Sequence, residues 1–249
     1  KHKNSDGWIN EGSPHYHYYP LEALLFTANA VKCRGIRLFD RDLHDMFVEP
    51  VKGTYPDLSF PAHSDGWYGA NLLSQSALYE IADARYNDPL LKRVLELTYA
   101  QKKRLDPEAL LNNQTINASD EKMIQQSYSF DASGFCLLRS DARTVVLKFG
   151  GEGIGHGHPD KLSITIHDGK NELVSDFGTS GYGVPDYLKW YKRSLSHNTV
   201  TVDAKDQKRS VGKLLKFTPR PDGGYAEAET VTAYPVSYTH LTLPTNREV

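Results

Sequence analysis

The hydrophobic period of this chain changes once, near residue 122, and that change limits the folds open to it. Before it, apolar side chains recur at helical spacing: Leu21, Leu24, Leu25, Ala28 and Val31, then Leu72, Leu73, Ala77, Ile81 and Ala84, then Val94, Leu95 and Tyr99. Asp88-Pro89 and Asp106-Pro107 each read as an N-cap followed by a first-turn proline. Pro20 suits the first turn of the first helix in the same way. Beyond residue 122 the period is two. Residues 135–138, 144–149, 162–166, 172–174 and 198–202 read as strands, Asp168-Gly169 as a hairpin turn, and weaker strands follow near 214–217 and 225–232. Helices first and strands second predict an α+β chain with an antiparallel sheet, not a parallel α/β sheet. The predicted parts are a helical domain over 1–122, with the polar stretch 112–122 as linker, and a β domain over 123–235. Residues 236–249 fit neither pattern and are read as a non-native tail outside the fold.

Composition removes several classes of function. Hydrophobic residues make up 39% and charged residues 24%, too apolar for a disordered chain. The net charge of -2 gives no basic field for nucleic acid. No apolar run reaches the roughly 20 residues of a membrane helix. Two cysteines, Cys33 and Cys136, are too few for a disulfide framework, and each lies among apolar residues as a buried thiol would.

Chemistry concentrates in two places. Gly155-His156-Gly157-His158-Pro159-Asp160 sets two histidines one residue apart in a glycine-rich turn. In an extended run both could share a face, one holding a metal while the other meets a substrate. Downstream, Asp176 follows His158 by 18 residues and His197 follows Asp176 by 21, so His158, Asp176 and His197 offer two imidazoles and a carboxylate, a zinc-type donor set. The alternative is three unrelated polar residues at strand ends. In the helical half, His15, Tyr16 and His17 sit near a helix N-terminus, where a tyrosine pKa can fall far enough for proton transfer. The same run would also serve as aromatic packing or as a sugar-stacking platform. Residues 50–69 form a long loop rich in Pro and Gly, carrying Asp57, His63, Asp65, Trp67 and Tyr68, and loops of that length are often functional.

These residues carry a resemblance. Asp6-Gly7 with Glu11-Gly12-Ser13-Pro14-His15-Tyr16-His17, the G-H-G-H-x-D turn at 155–160, Asp176-Phe177-Gly178 with Tyr182, and Ser196-His197-Asn198-Thr199-Val200 resemble, in order, the motifs of the heparinase II/III-like polysaccharide lyases, which include oligoalginate lyases. The resemblance implies part of an (α/α) toroid followed by an antiparallel β-sandwich, with the active site between them. It implies β-elimination on a uronic-acid polysaccharide of alginate or heparin type, with Tyr16 as proton shuttle, His156 at the uronate and Tyr182 as a second tyrosine, Tyr191 being its competitor. His17, Trp67 and Arg193 are the expected substrate contacts. His158, Asp176 and His197 are the implied ligands of a structural zinc. The implied partner is an acidic poly- or oligosaccharide, with neither nucleic acid nor membrane, and a homodimer is left open. The implied location is periplasmic or secreted. The family's carboxylate-neutralising Asn or His lies well before the tyrosine, and this chain begins 15 residues before Tyr16, so the resemblance implies a fragment lacking it. Two other functions stay open on these residues: a non-catalytic carbohydrate-binding protein, and a zinc hydrolase in which the metal activates water.

Overall fold

The computed structural model describes residues 3–112, 115–116, 123, 126–141, 143–151, 155–234 and 237–244. Most of the predicted linker, 112–122, lies outside the described residues. The first helix, α1 (Pro14–Val31), starts six residues before Pro20. Ser13 is its N-cap, its side chain accepting from the Tyr16 N–H, and Pro14 takes the first-turn place expected for Pro20. Pro20 lies inside the helix, where it has no N–H to offer the Tyr16 carbonyl. The earlier start fixes the phase: His17, Tyr18, Leu21, Leu25 and Ala28 face the core, while Tyr16 lies off that face.

A second helix, α2 (Arg41–Lys52), is absent from the sequence reading. Asp40 caps it through the Leu43 N–H at 2.9 Å, and Leu43, Met46, Phe47 and Val51 are its buried face. Then come a 3₁₀ turn (Leu72–Gln75), α3 (Ser76–Tyr86), α4 (Pro89–Gln101) and α5 (Pro107–Asn112). The second half holds two antiparallel sheets. One is a meander of β1 (Tyr128–Phe130), β2 (Phe135–Arg139), β3 (Thr144–Lys148), β4 (Ser163–His167) and β5 (Glu172–Val174) in chain order. The other is β6 (Lys213–Arg220), β7 (Gly223–Tyr234) and β8 (Ser237–Pro244).

Three sequence expectations are corrected here. Residues 198–202 form no strand: the Asn198 carbonyl accepts from the Ile164 N–H at 3.2 Å, and Val202 makes only an isolated bridge to Lys205. Residues 237–244, read as lying outside the fold, extend along β7, since an open strand edge pairs with any extended neighbour. Cys33 is exposed in a short 3₁₀ turn, while Cys136 is buried.

Alternation along β2 divides the core. Phe135 and Leu137 pack with Phe47, Tyr79, Leu91 and the rest of the helical cluster. Cys136 and Leu138 point the other way, against Ala226 and Ala228 of β7. Each fully buried apolar side chain contributes about 1.5–3 kcal/mol, so both faces of this strand are strongly held.

The loop between α2 and α3 reaches across to the β half. Tyr55 donates from its backbone to Ser59, Phe60 to Ala70, and Leu72 to Leu58, each within 2.9 Å. Its tip then touches two β-half turns. The Asp65 N–H donates to the His156 carbonyl at 3.0 Å, and the Thr179 N–H donates to the Gly66 carbonyl at 3.0 Å. Gly178 makes that approach feasible: its φ is +59°, and a Cβ there would lie 1.9 Å from the Gly66 oxygen.

Candidate active site

Tyr16 lies in the first turn of α1, His156 in the glycine-rich turn before β4, and Tyr182 in the irregular segment after β5. The fold brings the three together. The Tyr16 and His156 rings stack with centroids 3.6 Å apart and planes 10° from parallel. The Tyr16 hydroxyl donates to the Tyr182 hydroxyl at 2.8 Å, which in turn donates to Asp65 Oδ2 at 2.8 Å. Because the one Tyr182 proton is committed to Asp65, His156 Nδ1 is the donor in its 2.7 Å contact with the Tyr182 oxygen. On the ring's other side, Nε2 lies 3.5 Å from Glu11 Oε2. The cluster opens on a groove of about 580 Å³ lined by Glu11, Tyr16, Tyr19, Phe26 and His156.

Cations and aromatics frame the cluster. The Lys192 ammonium donates to the Gly155 carbonyl at 3.1 Å and lies over the Tyr187 ring. Tyr187 meets Tyr182 edge-on, ring centroids 5.0 Å apart. Trp67, partly exposed, packs near His15, which packs on Tyr16. Burial, then the bonds with Tyr16 and Asp65, drive the Tyr182 phenol far above its ordinary pKa. Burial also opposes charge on Asp65, yet the bonds from His158, Tyr182 and His156 hold its carboxyl at about 2.

Residues 124–242 match the family described as Heparinase II/III-like, C-terminal. The β half of this chain is similar to the heparinase II/III-like family over those residues. An alginate lyase of Stenotrophomonas maltophilia is 29% identical over 227 residues, covering 80% of this chain and 30% of that protein. A heparin-sulfate lyase of Bacteroides stercoris is 26% identical over 224 residues, covering 84% of this chain and 31% of that protein. The chain thus spans about a third of the length of these curated relatives. Among solved structures, a heparan sulfate lyase of Pedobacter heparinus matches 97% of this chain and 37% of its own, with TM-score 0.74 and 18% identity. A heparinase III structure matches 97% of this chain and 38% of its own, with TM-score 0.76 and 16% identity. These structures share the fold.

Within the β half, the implied zinc residues adjoin in a particular order. His158 Nε2 bonds Asp65 Oδ1 at 2.8 Å, and His197 Nδ1 bonds Asp176 Oδ2 at 2.9 Å. With a carboxylate behind each ring, the free nitrogens face each other: His158 Nδ1 lies 3.2 Å from His197 Nε2. Two lone pairs at that distance need a positive charge between them. A proton on one ring would serve, and so would a tetrahedral zinc, whose nitrogen ligands stand about 3.3 Å apart. Burial works against charge on both rings; Asp176 overcomes it at His197, raising that pKa, while burial prevails at His158. The two histidines therefore fit a zinc as direct donors. Asp176 does not join them: it sits behind His197 and also accepts from the Gly178 N–H, the place of a carboxylate that orients a ligand. Among the described residues, no three His, Cys, Asp or Glu side chains converge as a donor set.

Two expected substrate contacts are corrected. His17 is fully buried; its Nδ1 accepts from the Ile9 N–H at 3.1 Å and its Nε2 donates to the Met46 carbonyl at 2.8 Å. Burial holds its pKa down to about 4 against the Met46 carbonyl, so it is a neutral core residue. Arg193 is paired with Asp206 and makes none of the cluster's contacts; its neighbour Lys192 makes them. Asp65, Tyr187 and Glu11 are the site residues missing from the sequence reading. Asp65 and Glu11 stood inside segments already singled out. Tyr187 had no signal apart from its spacing to Tyr182.

Proposed function

We propose that this chain carries the tyrosine–histidine part of a polysaccharide lyase active site, acting on a uronic-acid polymer by β-elimination. The observation that carries this reading is the stack of Tyr16, from the helical half, on His156, from the β half, at the mouth of an open groove. Elimination removes the C5 proton of a uronate and expels the O4 oxygen. Acting as the phenolate, Tyr16 takes the C5 proton, and the phenol so formed gives that proton to the departing O4 oxygen on the same sugar face. His156 meets the developing negative charge on the uronate, where preorganised donors contribute most. Tyr182 holds the Tyr16 hydroxyl on line. Lys192 adds a positive charge beside the turn.

In this reading the helices are part of an (α/α) toroid, and the protein works in the periplasm or outside the cell. A zinc held by His158 and His197, with Asp176 behind, would neutralise the facing nitrogens and pin the turn that carries His156. The relatives' names, alginate lyase and heparin-sulfate lyase, support the substrate class. The pair of buried histidines leaves no room for a substrate, which sets the lyase reading ahead of a hydrolase built on metal-bound water.

The test is the ultraviolet absorbance of unsaturated uronate released from alginate, heparin and heparan sulfate by the full-length protein. Tyr16→Phe should lower kcat by about 10²–10⁴-fold, the range for a lost acid–base group, with an unchanged melting temperature. Absence of product on every uronate polymer would sink the reading. Sugar binding that survives Tyr16→Phe but fails in Trp67→Ala, with no product from the wild type, would favour a binding protein instead.

A further inference from the structure

Tyr182, the hub between Tyr16 and His156, has little backbone support. It is 56% exposed and sits between Gly181 and Gly183, both with positive φ, outside any helix or strand. What fixes its hydroxyl is a side chain from the other half of the molecule. Asp65 is fully buried. Its Oδ2 accepts from the hydroxyls of Tyr182 at 2.8 Å and Tyr187 at 3.0 Å and from His156 Nδ1 at 3.1 Å, and its Oδ1 accepts from His158 Nε2 at 2.8 Å.

The backbone around Asp65 is itself held. Its N–H is on the His156 carbonyl, and the next residue's carbonyl takes the Thr179 N–H. Ser64 before it adopts φ +57°, a conformation uncommon for a residue with a side chain, and its hydroxyl is tied to Asp160 at 3.0 Å. One loop tip thus contacts the His156 turn, the Gly178 turn and both tyrosines.

We propose that Asp65 is the positioning residue of this site, its carboxylate fixing Tyr182 and His156 in register with Tyr16. It does not face the groove and touches no substrate. An asparagine there keeps the shape but offers a single acceptor oxygen in place of two, so it cannot serve both His158 and the tyrosines.

The kinetic test rests on the lyase reading; the structural tests do not. Asp65→Asn should lower kcat by about 100-fold with KM changed less than about threefold, as expected when reacting groups are displaced by about an ångström. The double variant Asp65→Asn/Tyr182→Phe should lose less than the product of the two single losses, because the two changes share the bond through the Tyr182 hydroxyl while Asp65 also holds His156 directly. Multiplying effects, or a kcat of Asp65→Asn equal to the wild type, would overturn the proposal. If the wild type yields no product on any uronate polymer, the lyase reading fails and the crystal structure of Asp65→Asn decides. There the Tyr182 hydroxyl should leave Tyr16 and His156, and its staying on both would refute positioning by Asp65. Should that variant not fold, wild-type NMR serves: the Tyr182 and Tyr187 hydroxyl protons, held on a buried carboxylate, should be visible at low field and slow to exchange. Rapidly exchanging hydroxyls on both would overturn the proposal.

Discussion

Gly178→Ala probes the contact on which the site's assembly depends. The added methyl would meet the Gly66 oxygen at 1.9 Å, the Ala62 oxygen at 2.6 Å and the Gly66 carbonyl carbon at 2.9 Å, all backbone atoms with no rotamer to escape into. The φ of +59° adds left-handed strain of about 1–2 kcal/mol. Overpacking of this kind costs about 1–3 kcal/mol more. The total, roughly 2–5 kcal/mol, corresponds to about 4–20 °C in Tm for a chain of this size. Gly183→Ala is the control, since Gly183 also has positive φ (+86°) but nothing within 4 Å of a Cβ, so only the strain part should be lost. Thermal and urea unfolding of the two variants measure the difference directly. Displacing the Gly66 carbonyl should also break its bond to the Thr179 N–H, withdraw Asp65 and lower activity at temperatures where the variant is still folded. If Gly178→Ala proves no more destabilising than Gly183→Ala, the two turns are not in backbone contact and the reasoning fails.

Three further outcomes follow from groups held in unusual states. His17 stays neutral in the fold, its pKa near 4, below the unfolded value of about 6.5. Its contribution is therefore complete above about pH 6.5 and is lost as pH falls toward 4, up to roughly 3 kcal/mol; His17→Gln should flatten that dependence in urea melts, and an unchanged slope would refute it. Glu80 is buried beneath Arg104, which donates to both of its oxygens at 2.7 Å, with the Tyr99 hydroxyl also at 2.7 Å. Glu80→Ala should cost about 3–5 kcal/mol in urea midpoint-derived stability, and a loss under about 1 kcal/mol would show the network to be a surface feature. For the metal, zinc retention measured by mass spectrometry should be abolished by His158→Ala and by His197→Ala, whereas Asp176→Asn should weaken it about 10–100-fold; complete loss in Asp176→Asn would place that carboxylate on the metal itself.

The division into helices and strands was readable because periodicity is local: a window around Leu91 or Val146 contains all that is needed to see it. The start of α1 was readable too, but Pro20 competed with Ser13-Pro14 for the same signal. Choosing Ser13 as the cap puts His17 in phase with Leu21, Leu25 and Ala28, and so in the core rather than on the substrate. The asparagine-to-valine run at 198–202 alternates well, yet the neighbouring strand offers it only one bond at Ile164. Alternation states a preference for extended backbone; pairing needs a partner in reach. Asp65 marks the limit of such reading. Nothing within a few residues shows that its loop tip meets turns at 156 and 178. Its four donors come from residues 156, 158, 182 and 187, brought to it only by the finished fold.

Strand β2 belongs to two hydrophobic clusters at once, one face given to the helices and the other to the second sheet. It works as a party wall: neither neighbour can be demolished without exposing the other's interior. The boundary near residue 122, obvious in the sequence pattern, is therefore a poor place to divide the protein. A β half produced alone would present Phe135, Leu137 and Val146 to water, and helices produced alone would lose the surface they close upon. Recombination of such chains would succeed only if the helical half and the first sheet were inherited together.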